Sequence, residues 1–202
     1  MRYYDYKIAD VSLRSEYDLV ELGIRGFAPF ACEVEGDCDS YFVTTYKLAQ
    51  YAEHSLNHLS ESYLADADPQ CILYKTANGY LYRITPCGNE GSVIEFSIDT
   101  TTMRFTTNMF DHEVDVAILR FGLWIMFGVV LAKHDAIAIH SSAIECEGRV
   151  VLFLGESGTG KSTHTRLWRE NIAGARLLND DSPIVRIVDG KAMIYGSPWS
   201  GK

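Results

Sequence analysis

The chain has 202 residues, 47% of them hydrophobic and 22% charged, the balance of a globular protein with one large core or two small ones. A net charge of -9 excludes general binding to nucleic acid or to an anionic membrane surface and leaves only a local basic pocket open. The five cysteines, Cys32, Cys38, Cys71, Cys87 and Cys146, form no CxxC pair. Their odd number, with no visible N-terminal signal sequence, predicts reduced structural thiols in the cytoplasm.

The first thirty residues carry no chemical signal. YFVTTY at 41–46 has strand composition. His54 and His58 lie four apart in AEHSLNHLSE. On a helix they would share a face, either as a metal pair or as solvated residues, and no third ligand is near. CILYKTANGYLYRITPC then places two apolar and aromatic runs around Asn78-Gly79, a strong hairpin signal. GSVIEFSIDTTTMRFTTNM reads as a second hairpin, turning near Asp99 to Thr101. Residues 1–112 are therefore expected to form an α+β module with an antiparallel sheet.

Val114 to Ala132 reads VDVAILRFGLWIMFGVVLA, about long enough to span a membrane. Asp115 and Arg120 interrupt it, and His134 and Asp135 follow closely. A buried helix over 113–133, joining the two halves of the chain, is the expectation. AIAIHSSAIECEGRVVLFLGE gives two further strands with Glu147-Gly148 as their turn. Val150 to Leu154 is almost wholly apolar, as expected of a buried strand. A helix follows from Ser162 to Glu170, ending near Gly174, and then ARLLNDD as a strand with two acids at its end. SPIVRIVDGKAMIYG reads as a hairpin turning at Asp189-Gly190, before a closing SPWSGK.

Gly155-Glu156-Ser157-Gly158-Thr159-Gly160-Lys161-Ser162 matches GxxxxGK(S/T) at every required position, between an apolar strand and a helix. Glycines let backbone N–H groups converge on phosphates, and the helix start adds partial positive charge. Lys161 suits the β- and γ-phosphates, and the Ser162 hydroxyl suits magnesium. Asp180 and Asp181 come eighteen and nineteen positions after Ser162. Paired carboxylates at a strand end suit magnesium and a general base; the alternative is an acidic turn before Pro183. His140, by itself, reads as a core or turn residue.

Taken in order, IHSSAIECEGRVVLFLGESGTGKST and then LLNDD resemble the catalytic core of HPr serine kinases and their relatives. That family pairs a histidine on the strand before the loop with a G-x-SG-x-GKS loop and a strand ending in two aspartates. ATP-dependent phosphoenolpyruvate carboxykinases share this core and have a similar loop. The resemblance covers about residues 137–202. It implies an α/β P-loop core of that type over 113–202, α+β overall with the N-terminal module, and continuing beyond Lys202, so that the core is incomplete at its C-terminus. Residues 1–135 resemble the variable front halves of HPr-kinase-like proteins associated with modified-peptide gene clusters.

The resemblance implies roles. Gly155 through Ser162, with Thr163, would hold ATP; Ser162 and Asp180 would hold Mg2+. Asp181 would take the proton from an attacking hydroxyl, Lys161 would offset charge on the transferred group, and His140 would position phosphate or the base. Which aspartate does which stays open. Glu156 stands where HPr kinases often have Asp, and either touches the reacting phosphate or caps the loop. Gly196 to Lys202 resembles a loop near the active site of these relatives, with Lys202 facing phosphate or solvent.

Three functions follow. The first is a cytoplasmic kinase moving the γ-phosphoryl of ATP to a Ser or Thr hydroxyl of a small protein or peptide, or to a small molecule. Nucleic acid and membrane are not expected as partners, and the resemblance suggests a multimer. The second is a carboxykinase-like lyase, needing arginines for carboxylates from among Arg166, Arg169, Arg176 and Arg186. The third is a nucleotide-binding scaffold without catalysis.

Overall fold

The computed structural model describes residues 2–43, 56–63, 70–85, 93–111 and 114–200. Among these, strands take up 44% and helix 22%. The first two strands, β1 (Tyr4–Ile8) and β2 (Val11–Ser15), are joined by Ala9 and Asp10. Both turn residues have positive φ, 52° and 60°, the backbone twist that matches a two-residue hairpin. After a 3-10 helix at Arg25–Phe30 come β3 (Ala31–Cys32), β4 (Ser40–Phe42), β5 (Asn57–Tyr63), β6 (Gln70–Lys75), β7 (Gly79–Thr85), β8 (Ile94–Asp99) and β9 (Arg104–Thr107). They form one nine-stranded sheet in the order β3-β1-β2-β4-β9-β8-β7-β6-β5.

The first expected hairpin forms between β6 and β7, but its two loop residues are Ala77 and Asn78, one position earlier than expected, with Gly79 the first residue of β7; the second forms between β8 and β9. Asp99 holds that second turn by accepting the amides of Thr101 (2.8 Å) and Thr102 (3.1 Å). The sheet is mixed, not antiparallel: β4 runs parallel to both β2 and β9. His58 lies on β5, so the helical His54/His58 pairing does not arise; His54 itself lies outside the described residues, as do residues 44–46 of the first expected strand.

α1 (Val116–Lys133) begins where the Asp115 carboxylate accepts the amides of Ala117 and Ile118, a side-chain cap for otherwise unpaired donors. It is the one helix among the described residues long and apolar enough to cross a membrane. Here Leu119, Leu123, Met126, Phe127, Val130 and Leu131 are buried in a core shared with Phe96, Ile98 and Phe105 of the sheet. Each such side chain contributes about 1.5–3 kcal/mol of transfer free energy. That core continues to Ile184 and Trp199 at the far end of the chain. Cys38 and Cys71 are buried, Cys146 is half-buried and Cys32 is exposed, and Cys87 lies outside the described residues.

The rest of the chain gives β10 (Ala136–Ala138), β11 (Ser141–Cys146), β12 (Arg149–Leu154), α2 (Lys161–Asn171), β13 (Arg176–Asp181), β14 (Ile184–Val188) and β15 (Lys191–Tyr195). The expected P-loop α/β core of the HPr kinase/carboxykinase type is not what they build. They form two small antiparallel sheets, β10-β14-β15 and β12-β11-β13, beside the large mixed one. The reason is local. Two-residue turns at Glu147-Gly148 and Asp189-Gly190 can only join antiparallel neighbours, whereas a parallel pair needs a long crossover. β12 is also not the buried strand its composition suggests. It lies at a sheet edge with Val151 39% and Leu154 65% exposed.

Candidate functional site

The three-stranded sheet β12-β11-β13 places the sequence motifs together. β12 and β13 each run antiparallel to β11, so both end where β11 begins. One cross-strand row joins Leu154, Ser141 and Asp181; the next joins Phe153, Ser142 and Asp180. His140 stands one residue before this edge and Gly155 one residue after it. Segments up to 41 residues apart in sequence thus converge on one end of a small sheet. Ile139 donates its amide to the Pro183 carbonyl (3.0 Å), which ties the histidine segment to the chain just past the aspartates.

From Gly155 the loop turns back through Gly158 and Gly160, whose φ values of 80° and 93° favour glycine. Gly160 is the residue before α2, and the helix start faces the end of β13. Thr165 fixes the helix on the sheet: it is buried, accepts from the Ser142 hydroxyl (3.2 Å) and donates to the Ser162 carbonyl (3.1 Å).

Lys161 Nζ donates to the carbonyls of Gly155 (2.6 Å) and Glu156 (2.9 Å) and lies 3.0 Å from His140 Nε2. The other ring nitrogen, Nδ1, lies 3.1 Å from Asp181 Oδ1. An ammonium has only donors and a carboxylate only acceptors. These neighbours assign the proton of a neutral imidazole to Nδ1 and leave Nε2 to accept. Ser162 Oγ donates to Asp180 Oδ1 at 3.1 Å, so a hydroxyl and a carboxylate sit side by side. Asp180 is buried, while the side chains of His140 and Asp181 are 55% and 45% exposed.

Asp181 has φ 119°, a backbone region that L-residues rarely adopt and that costs roughly 1–3 kcal/mol. The surroundings hold it there. Asn179 accepts the Ser182 amide (3.0 Å) and donates to the Ser197 carbonyl (3.1 Å). Ser200 Oγ both accepts the Asp180 amide (3.2 Å) and donates to the Asp180 carbonyl (3.1 Å). Arg120 donates to the Ser200 carbonyl (3.2 Å), which links α1 to the same turn.

A cavity of about 400 Å3 opens over these groups. Ser157, Gly158, Gly160, Lys161, Ser162 and Thr163 form one wall; His140, Asp180 and Asp181 form the other. Gly155, Glu156 and Thr159 do not line it. Thr159 instead closes the loop by donating through its hydroxyl to the Glu156 carbonyl (2.8 Å). No cluster of three or more His, Cys, Asp or Glu suited to a metal occurs among the described residues. A cation here would have Ser162 and Asp180 as protein ligands. That fits magnesium, which takes few protein oxygens and completes its shell with phosphate and water.

Arg166, Arg169, Arg176 and Arg186 do not line the cavity. Arg166 pairs with Glu170, Arg176 with Glu145, and Arg186 donates to the Ala9 carbonyl. Lys202 lies outside the described residues. The motif reading missed Arg120, Asn179 and Ser200, which act on the site through backbone contacts that leave no pattern in sequence. In comparisons with family models, curated proteins and solved structures, nothing matches the chain.

Proposed function

We propose that the chain binds Mg-ATP at the 155–163 loop and transfers its γ-phosphoryl group to a hydroxyl. The observation that carries this reading is the meeting of Lys161, Ser162, His140, Asp180 and Asp181 around one cavity. Binding alone needs the loop; it does not need a histidine–aspartate pair facing it. The proposal rests on this site and on the motif order shared with HPr kinases, and no longer on a shared fold.

The loop amides and the start of α2 would cradle the phosphates. Lys161 would turn from the loop carbonyls to the β- and γ-phosphates and offset the charge that develops there. Magnesium, held by Ser162 and Asp180, would supply further charge neutralisation across the phosphates. Asp181 would accept the proton of the acceptor hydroxyl as its oxygen forms the new bond to γ-phosphorus. The bond from γ-phosphorus to the bridging oxygen breaks, and ADP leaves with that electron pair. His140 would fix the orientation of Asp181 through Nδ1–H. The placement of Ser162 beside Asp180 supports Asp180 as the metal-holding carboxylate, and Asp181 would then serve as the base.

The test is γ-labelled ATP with Mg2+ and soluble extract of the source cells, with Lys161→Ala and Asp181→Asn chains as controls. Label on a discrete acceptor, lost in both variants, is the expected result. Transfer that survives Lys161→Ala would sink the reading. Mg-ATP binding with no transfer to any acceptor would favour a scaffold.

A further inference from the structure

A second cavity, of about 490 Å3, adjoins the first and shares two residues with it, His140 and Asp181. Its walls are otherwise mostly apolar: Ile84 from β7, Ile118, Phe121 and Trp124 from α1, and Trp199 near the end of the chain. Both indole N–H groups are already committed. Trp124 donates to the Ser182 hydroxyl (2.8 Å) and Trp199 to the Arg120 carbonyl (3.0 Å). The two indoles therefore offer apolar surface to the cavity. Phe121 stacks on Trp124 with centroids 5.9 Å apart, making a flat aromatic wall. Arg120 also lines the space, with one guanidinium N–H given to the Ser200 carbonyl.

This cavity accounts for a feature of α1. Apart from Arg120 and Lys133 the helix is built of apolar residues and glycines; Leu119, Leu123, Met126 and Phe127 are buried in the core, whereas Ile118, Phe121 and Trp124 pack against it only in part. Ala117, Phe121 and Trp124 follow the four-then-three spacing of a second helix face, and that face lines the cavity. An apolar, aromatic space of this size, with a few convergent polar groups, is the form of a small-molecule site. Its polar end is the His140–Asp181 pair.

We propose that the second cavity seats the phosphoryl acceptor: a small alcohol carried on an apolar, ring-sized body, its hydroxyl directed at Asp181. This rests on the transfer reading above and adds the substrate class. The ring lies against Phe121, Trp124 and Trp199. The hydroxyl lies where the two cavities meet, between the base and the phosphate loop.

Saturation-transfer NMR on the chain as given tests it, with 2-phenylethanol and its methyl ether as probes. The ether keeps the ring and loses the hydroxyl donor. The alcohol is expected to bind roughly tenfold more tightly than the ether, because only its hydroxyl can donate to the Asp181 carboxylate, and a hydrogen bond to a charged acceptor is worth about that factor. Asp181→Ala should bring the alcohol down to the ether's level. Ala117→Phe, at an exposed helix position facing the cavity, should weaken both probes at least fivefold (on the order of one lost contact) with an unchanged circular-dichroism spectrum. Equal binding of alcohol and ether, or binding indifferent to Ala117→Phe, overturns the proposal. Mg-ATP titration separates the two claims. Cavity- and hydroxyl-dependent binding in a chain that fails to bind Mg-ATP would remove the transfer reading and support the pocket. Bound Mg-ATP with probe binding indifferent to Ala117→Phe would remove the pocket and leave the transfer reading standing.

Discussion

His140 Nδ1 lies 3.1 Å from Asp181 Oδ1, at the junction of the loop-lined cavity and the aromatic one. A histidine that donates to a carboxylate fixes which way that carboxylate faces. Asp181→Asn keeps the shape and removes the proposed base. It should lower kcat by roughly 10^2 to 10^4, the usual worth of a positioned acid or base. Its Kd for Mg-ATP should stay within about threefold of the parent, because a base acts in the chemical step more than in ground-state binding. Rapid-quench transfer assays beside an ATP titration check both. An intact kcat would remove Asp181 from the chemistry.

Lys161 Nζ sits at hydrogen-bond distance from two loop carbonyls and His140. Under the proposed function, its charge turns to the phosphates when nucleotide binds. A hydrogen bond to a charged group is worth roughly 1.5–3 kcal/mol, so Lys161→Ala should weaken Mg-ATP binding about 10- to 100-fold. Calorimetric titration reads this directly. AMP, which lacks the β- and γ-phosphates, should lose little, and equal losses for ATP and AMP would contradict the assignment.

The Ser162–Asp180 pair predicts a metal requirement of a particular kind. EDTA should abolish transfer, and added Mg2+ should restore it. Ser162→Ala removes one proposed neutral oxygen ligand, and roughly 0.5–1.5 kcal/mol with it. The Mg2+ concentration for half-maximal rate should then rise about three- to tenfold. A titration unchanged in Ser162→Ala would place the metal elsewhere.

The sequence made some of this legible and concealed the rest, for physical reasons. The turns at Glu147-Gly148 and Asp189-Gly190 were readable because a tight hairpin demands unusual φ; Glu147 at 52° and Asp189 at 50° meet that demand. His140, the glycine loop and Asp180-Asp181 were readable because each sits at a strand end. What could not be read was which strands pair. The parallel contacts of β4 join residues more than 25 positions apart, and no local pattern encodes them. Composition also fails to distinguish an edge strand from a buried one, which is why β12 misled. The same limit hid the second cavity: Phe121 and Trp124 look like core in sequence and do pack against it, yet part of their surface also lines the cavity.

Gly122 lies where α1 meets β8, and a Cβ there would come within 2.2 Å of the Phe96 ring. Phe96 is fully buried and has little room to yield. Alanine is the better helix former by about 1 kcal/mol, so propensity alone predicts that Gly122→Ala stabilises. Overpacking, at roughly 1–3 kcal/mol, should win. The expected result is a Tm lower by about 2–8 °C in thermal denaturation. Gly128, where a Cβ meets nothing within 4 Å, provides the contrast: Gly128→Ala should hold or raise Tm.

Asp5 and Arg14 face each other across β1 and β2, with Arg14 Nε and Nη2 each donating at 2.8 Å. These bonds hold the Asp5 carboxyl below its ordinary value of 3.8, outweighing the burial that pushes it up; the Val34 amide adds to the lowering. A carboxylate whose value falls on folding contributes stability above the unfolded value. That contribution is lost as pH drops through the lower, folded one. The unfolded chain binds more protons in this window, so stability must fall with pH there. At pH 7, Asp5→Asn should cost roughly 1.5–3 kcal/mol, since it replaces a charged acceptor facing a guanidinium. The gap in Tm between parent and variant should be widest at neutral pH and close as the pH falls past the ordinary value of 3.8 and through the lower, folded one. A gap that stays constant from neutral to acid pH would mean that packing, and not the charge on Asp5, ties β1 to β2.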